Sequence, residues 1–197
     1  MRIIGLTGSI GMGKSAVARM FAERGIPVFD ADAEVHRLYA GRLAGEIEKA
    51  FPGTTGPVGV NRAKLAAVLR DDAAMKRLEG IVHPAVAASR QRFLDEARQA
   101  GKPAAVLEVP LLFETGGERY CDVVVLVSAP ADIQRGRVLA RPGMSVEKFE
   151  AILARQMPDA EKRRRADVVI DTSTSLAETE REVDSFLRTI AISPPVG

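Results

Sequence analysis

Short apolar runs alternate along the chain with longer stretches in which apolar residues recur every three or four positions. Ile3–Leu6, Pro27–Phe29, Ala104–Val109, Val123–Val127 and Val168–Ile170 read as strands, and much of the chain between them reads as helix. That alternation builds βαβ units, so the fold class is α/β, a central parallel sheet of five strands flanked by helices. The run Val123-Val124-Val125-Leu126-Val127 has no polar position, which predicts a strand covered on both faces. Helix signals agree. Val17, Met20 and Phe21 form an i, i+3, i+4 stripe that Gly25 closes as a C-cap. Ser175 and Glu178 form a capping box ahead of a stripe of Leu176, Val183, Phe186, Leu187 and Ile190. The tail from Ser193 to Gly197 is expected to fray.

Two stretches depart from the simple alternation. The first, about residues 34–101, is helix-rich and broken by Pro52-Gly53-Thr54-Thr55-Gly56-Pro57, which reads as an exposed loop. A helix is predicted to start with Pro84 in its first turn and to end at Gly101. The second, about residues 130–166, is rich in arginine. It reads as two short helices separated by Arg141-Pro142-Gly143, with Ser145 capping the second.

Composition narrows the class. A chain of 197 residues, 46% hydrophobic and 27% charged, suits one domain with appendages. Its 28 basic and 26 acidic residues leave a net charge of +2, so no broad nucleic-acid footprint is expected. Cys121 is the sole cysteine, which rules out an intramolecular disulfide and suits a reducing compartment; it reads as a small buried residue at a strand start. With no basic leader and no run of 18 apolar residues, the expectation is a soluble cytoplasmic protein without membrane contact.

The strongest chemical signal is Gly8-Ser9-Ile10-Gly11-Met12-Gly13-Lys14-Ser15, which fits G-x-x-x-x-G-K-[ST] directly after the first strand and ahead of the first helix. Glycines let such a loop turn its N–H groups inward around a phosphate chain. Lys14 then reaches the outer phosphates, and the Ser15 hydroxyl is placed to ligate Mg²⁺. Nucleoside triphosphate binding follows from that context.

In open α/β sheets ligands lie beyond the carboxyl ends of the strands, so polar residues just after each strand are the next candidates. Asp32 has two readings, a base or orienting group for an attacking hydroxyl, or a helix cap shared with Asp30. Asp30 leans toward structure or toward the surroundings of a metal. Glu108 is read either as holding a metal's water or as a salt-bridged strand end. Arg137 and Arg141, one turn apart on one predicted helix face, together with Arg155 suit a lid that neutralises a transferring phosphoryl group. Lys162-Arg163-Arg164-Arg165 reads as solvated helix surface. His36 and His83 are too few and too scattered for a metal site; His83 at a helix start is read as an anion contact or a cap.

Taken together, the loop, Asp30-Ala31-Asp32, Leu78-Glu79-Gly80-Ile81-Val82-His83-Pro84, Pro110-Leu111-Leu112-Phe113-Glu114, Gln134 with Arg137 and Arg141, and Gln156 with Ala166-Asp167-Val168-Val169-Ile170-Asp171 resemble the dephospho-CoA kinase family in order over residues 2 to about 190. The resemblance implies a P-loop kinase fold of the nucleotide-kinase type, with residues 34–101 as a helical substrate-binding insertion and 130–166 as a lid. It implies transfer of the ATP γ-phosphate to the ribose 3′-hydroxyl of dephospho-CoA, with Mg²⁺, giving CoA and ADP. Asp32, Lys14, Arg137 and Arg141 are then the catalytic residues. Gly11, Met12, Gly13, Lys14, Ser15 and Ala16 bind ATP, Ser15 meets the metal, and His83, Leu111, Leu112, Phe113 and Glu114 line the acceptor site. Small-molecule substrates are the implied partners, with no obligate protein partner. Ser9, Met12 and Thr172 depart from the family's commoner glycine, serine and asparagine. The runner-up is a kinase for a nucleoside monophosphate or another small alcohol. A nucleotide switch is disfavoured, since D-x-x-G and N-K-x-D are missing from the sequence.

Overall fold

A computed structural model describes residues 1–192; the tail 193–197, read above as fraying, lies outside the described residues. In chain order the elements are β1 (Arg2–Thr7), α1 (Lys14–Glu23), β2 (Val28–Asp30), α2 (Ala31–Ala40), α3 (Ala44–Ala50), β3 (Thr55–Gly56), β4 (Gly59–Val60), α4 (Arg62–Val68) and α5 (Asp72–Gln99). There follow β5 (Ala104–Glu108), a 3-10 turn at Gly117–Tyr120, β6 (Val123–Ser128), α6 (Ala131–Leu139), α7 (Val146–Leu153), α8 (Asp159–Arg165), β7 (Val168–Asp171) and α9 (Leu176–Ile192). Two compact units result, one of residues 1–29 with the chain from Ala97 onward, the other Asp30–Glu96.

All five predicted strands form one sheet in the order β2-β5-β1-β6-β7. The pairings of β1 with β5 (Ile4 opposite Val106), β1 with β6 (Leu6 opposite Val125) and β6 with β7 (Val127 opposite Ile170) are parallel. From β1 the chain runs out to β2, returns to β5 beside β1, and then crosses to β6 on the other side of β1, so the strand order reverses at β1, and the crevice beyond its carboxyl end is where an open sheet receives a ligand. The loop Gly8–Ser15 begins at that end. Every residue of β5 is buried, as an apolar strand covered on both faces requires. Ile4, Leu6, Val106 and Val125 meet Val17 and Phe21 of α1 and Val183 and Phe186 of α9 in one core. Phe21 and Phe186 pack edge to face, 6.0 Å apart. Leu176 belongs to the predicted stripe of α9 yet is exposed, because the core covers that helix only from Thr179 onward.

Asp30–Glu96 has a core of its own, in which Leu38, Leu43, Ile47, Phe51, Leu65, Leu78 and Val82 meet. Two local predictions are corrected here. The stretch Pro52–Pro57 is no plain exposed loop: it leads into an antiparallel ribbon that pairs Thr55 with Val60. Glu48 accepts hydrogen bonds from Gly53 N and from the Thr55 amide and hydroxyl at 2.7–3.0 Å, and Thr54 is buried. Nor does a helix begin at Pro84. The helix α5 starts after Asp71, whose carboxylate accepts the Ala74 N–H at 2.7 Å, and passes through Pro84. A proline inside a helix removes one N–H and crowds the carbonyl four residues back, a cost of about 3 kcal/mol. Here that carbonyl belongs to Gly80, and burial of Leu78, Val82 and Ala85 on one continuous face offsets the cost.

Candidate active site

The loop between β1 and α1 is shaped by its glycines. Gly11 and Gly13 have φ of 79° and 88°, a left-handed conformation that side chains resist. Added Cβ atoms would stand 2.6 Å from Val127 O at Gly8 and 2.4 Å from Val138 Cγ2 at Gly11, so the loop lies directly on β6 and α6. Met12, in place of serine, turns inward; it is buried, and its Sδ accepts the Ala129 N–H at 3.2 Å. Ser9 is likewise buried, and its carbonyl accepts the Met12 N–H at 3.2 Å.

Side chains from the arginine-rich region tie down the outer rim of the loop. Gln134 Nε2 donates to Ile10 O at 2.7 Å, and Gln156 Oε1 accepts from Ile10 N at 3.1 Å. Thr172, just past β7, donates its hydroxyl to Met12 O at 2.7 Å and packs within 3.3 Å of where a Gly13 Cβ would be. Gly13 is the N-cap of α1; no side chain caps that end, and no acidic residue occupies its first turn. A helix start of this kind presents N–H groups and the positive end of its dipole to an anion.

At the end of β5, Glu108 makes the salt bridge that one of its two readings assigned to it. Lys14 Nζ lies 2.5 Å from Glu108 Oε1, and both side chains are largely buried. The acidic residue therefore faces the loop lysine itself. Ser15 is exposed on the first turn of α1, and the Ala16 N–H bonds Gly13 O at 3.0 Å.

Of the arginines expected to form a lid, Arg137 reaches the loop region, donating to Thr172 Oγ1 at 3.1 Å and to Thr172 O at 2.5 Å. Arg141 shares no helix face with it. The helix α6 ends at Leu139, and the Arg141 N–H closes a tighter final turn on Val138 O at 3.1 Å. Arg155 is exposed just beyond α7, while Ser145 caps α7 as predicted, accepting from Lys148 N at 3.3 Å. The reading of Lys162–Arg165 as solvated surface fails at its first residue. Lys162 has no exposed surface, and its ammonium lies 2.9 Å from Glu114 Oε1. Arg163 bonds Asp159 and the Ser128 hydroxyl, and Arg165 pairs with Glu118 while covering the Phe113 ring at 4.8 Å.

After β5, Leu112 and Phe113 are packed inside with Val124, Leu111 is 38% exposed, and Glu114 is held by Lys162 and by the Met157 N–H at 2.8 Å. Cys121 is half-buried, its Sγ 2.7 Å from where a Cβ on Gly5 would be. Asp171 accepts the Ser173 N–H at 2.7 Å, which holds its carboxyl below the usual aspartate range.

In the helical unit, Asp30 is the N-cap of α2, accepting from Ala33 N at 2.9 Å. Capping is thus done by Asp30, and Asp32 presents an exposed carboxylate in the first turn. His83 is exposed in the interior of α5, away from any helix start, which removes the capping reading; His36 is in close contact with Arg62. Among the described residues no group of three or more His, Cys, Asp and Glu side chains is arranged to hold a metal ion, and no helix is long and apolar enough to cross a membrane. Sequence reasoning missed Lys162 as a buried charge and Thr172 as a contact of the loop; a lysine that opens a run of four basic residues within a helix carries no periodic signal that distinguishes it.

Comparison with known proteins agrees with this geometry. The family model for dephospho-CoA kinase matches residues 2–178. The dephospho-CoA kinase of Novosphingobium aromaticivorans is 59% identical over 198 residues, covering 99% of this chain and 98% of that protein. That of Rhodopseudomonas palustris (strain ATCC BAA-98 / CGA009) is 56% identical over 195 residues, 98% of each chain. The crystal structure of TT1252 from Thermus thermophilus superposes with a TM-score of 0.83 at 36% identity over 98% of each chain. The chain belongs to the dephospho-CoA kinase family.

Proposed function

We infer that this chain transfers the γ-phosphate of ATP to the ribose 3′-hydroxyl of dephospho-CoA, releasing CoA and ADP. The observation that carries the donor half is the loop from Gly8 to Ser15, with two left-handed glycines, a helix start free of side-chain caps, and Lys14 at its mouth. Family membership supports the acceptor half.

In this reading Gly11, Met12, Gly13, Lys14, Ser15 and Ala16 hold the phosphate chain, with backbone N–H groups as donors. Lys14 exchanges part of its pairing with Glu108 for the outer phosphates. The exposed Ser15 hydroxyl fits a magnesium ion, which needs few protein ligands because phosphate oxygens and water complete its shell. When bound, Mg²⁺ supplies positive charge that neutralises the phosphate oxygens. Asp32 accepts or orients the attacking hydroxyl, and its exposed carboxylate at the start of α2 suits that role. Arg137 and Arg141 meet charge on the transferring group. His83, Leu111, Leu112, Phe113 and Glu114 form the acceptor side, Leu111 by its exposed surface and Leu112 and Phe113 by supporting that segment from within. The helical unit Asp30–Glu96 serves as the substrate-binding insertion and the region around 130–166 as the lid. The reaction is placed in the cytoplasm, and its partners are the two small molecules.

The deciding experiment measures ADP release with MgATP and dephospho-CoA beside nucleoside monophosphates, then locates the new phosphate by phosphorus NMR. Turnover confined to dephospho-CoA with a 3′-phosphate product is the expected result. Equal or faster turnover of a nucleoside monophosphate overturns the acceptor assignment.

A further inference from the structure

Thr172 sits where two parts of the site meet. Its hydroxyl has one proton, and the shorter contact, 2.7 Å to Met12 O, takes it; Ser128 O lies farther, at 3.4 Å. The oxygen's lone pair accepts from Arg137 Nη1 at 3.1 Å, while Thr172 O accepts from Arg137 Nη2 at 2.5 Å. The residue itself is nearly buried and pinned to the sheet, its N–H bonding Ser128 O at 3.0 Å. One side chain thus fixes a carbonyl of the phosphate loop and the direction of a lid guanidinium at once. Across the planar trans peptide the Gly13 N–H points opposite the Met12 carbonyl, so holding that carbonyl on Thr172 aims the Gly13 N–H away from Thr172, and two bonds to Arg137 leave further N–H donors of the same planar group for an anion.

We propose that Thr172 is a positioning residue for phosphoryl transfer, coupling the phosphate loop to Arg137 through its hydroxyl. The proposal rests on the kinase reading above for its kinetic consequence, and on the loop geometry alone for its effect on nucleotide affinity. Thr172→Val removes the hydroxyl and keeps the shape. Met12 O is then left without its partner in a buried setting, and Arg137 retains only a backbone acceptor.

Thr172→Val and Thr172→Ser are compared with the unaltered chain in steady-state kinetics and in MgATP titrations. Thr172→Val is expected to lower kcat/KM for ATP about tenfold, the scale of one lost charge-assisted or buried hydrogen bond, with KM for dephospho-CoA unchanged. Thr172→Ser is expected to restore the rate to within about threefold, since it keeps the hydroxyl. In an Arg137→Ala background, Thr172→Val is expected to cost markedly less than in the unaltered chain, the sign of coupling. A Val variant within twofold of the unaltered chain in both kcat/KM and MgATP affinity overturns the proposal. So does a Ser variant as impaired as the Val variant, which assigns the effect to the methyl group packed on Gly13. If the unaltered chain does not phosphorylate dephospho-CoA, the kinase reading fails. The MgATP titration then decides Thr172 by itself, a weakened Val variant rescued by Ser upholding its hold on the loop.

Discussion

Lys162 is a lysine with no exposed surface, and its neighbour Glu114 keeps only 17%. Removing one member of a buried ion pair strands the other charge, which typically costs about 3–5 kcal/mol. Glu114 also accepts the Met157 N–H and is not wholly buried, so Lys162→Met is expected at the lower end, about 3 kcal/mol in urea unfolding. The double variant Lys162→Met/Glu114→Gln is expected to be more stable than the single one, because no charge is stranded. A single variant as stable as the unaltered chain contradicts the pairing. Asp32 presents the opposite case, an exposed carboxylate with no capping duty. If it serves the acceptor hydroxyl, Asp32→Asn is expected to lower kcat by about two orders of magnitude or more while MgATP affinity stays unchanged. Turnover near that of the unaltered chain removes Asp32 from the mechanism.

Helix ends show how far element-level reading carries. At the start of α9, Glu178 accepts from Ser175 N at 2.9 Å and from the Ser175 hydroxyl at 2.8 Å, while Ser175 Oγ accepts from Glu178 N at 3.3 Å. Ser175→Ala removes that oxygen and is expected to cost about 1 kcal/mol, seen as a fall in Tm of about 2–4 °C. No change in Tm places the cap's contribution in the backbone alone. Caps, glycine turns and apolar runs are local, so the five strands, α1, α7, α9 and the phosphate loop were legible from residues a few positions apart. The misreadings have a shared physical origin. Pro84 signals a helix start locally, but the face of Leu78, Val82 and Ala85 that carries α5 through it is defined by packing against distant residues. Lys162 looks like one charge in a run of four, and only its approach to Glu114, far away in sequence, makes it a core residue. Thr172 likewise gains its contacts from Met12 and Arg137, neither near it in the chain.

At the scale of the whole molecule, six carboxylates among the described residues have depressed proton affinity, and they are spread along the chain. Glu34 is lowered chiefly by the Arg37 side chain, Glu48 by the Gly53 N–H, Glu147 by the Ser145 hydroxyl, Asp171 by the Ser173 N–H, Glu178 by the Ser175 N–H and Asp184 by the Arg24 side chain. A carboxylate whose affinity is lower in the folded state binds fewer protons there than in the unfolded chain, so stability rises with pH across the window between the two values. Ordinary values of 3.8 for aspartate and 4.5 for glutamate set the upper edge of that window. The contribution is therefore complete above it and is lost as pH falls through the depressed folded-state values. Protonation also leaves 28 basic residues less balanced, which adds self-repulsion in the same direction. Burial raises the Tyr39 hydroxyl above its usual 10.0, so the folded state holds that proton longer and stability declines on the alkaline side. The expected profile of urea midpoint against pH is level between about pH 6 and 9 and falls steeply below about pH 4.5. Asp171→Asn is expected to flatten part of the acid slope while leaving the alkaline limb unchanged, and a midpoint at pH 4 equal to that at pH 7 contradicts the assignment of these carboxylates.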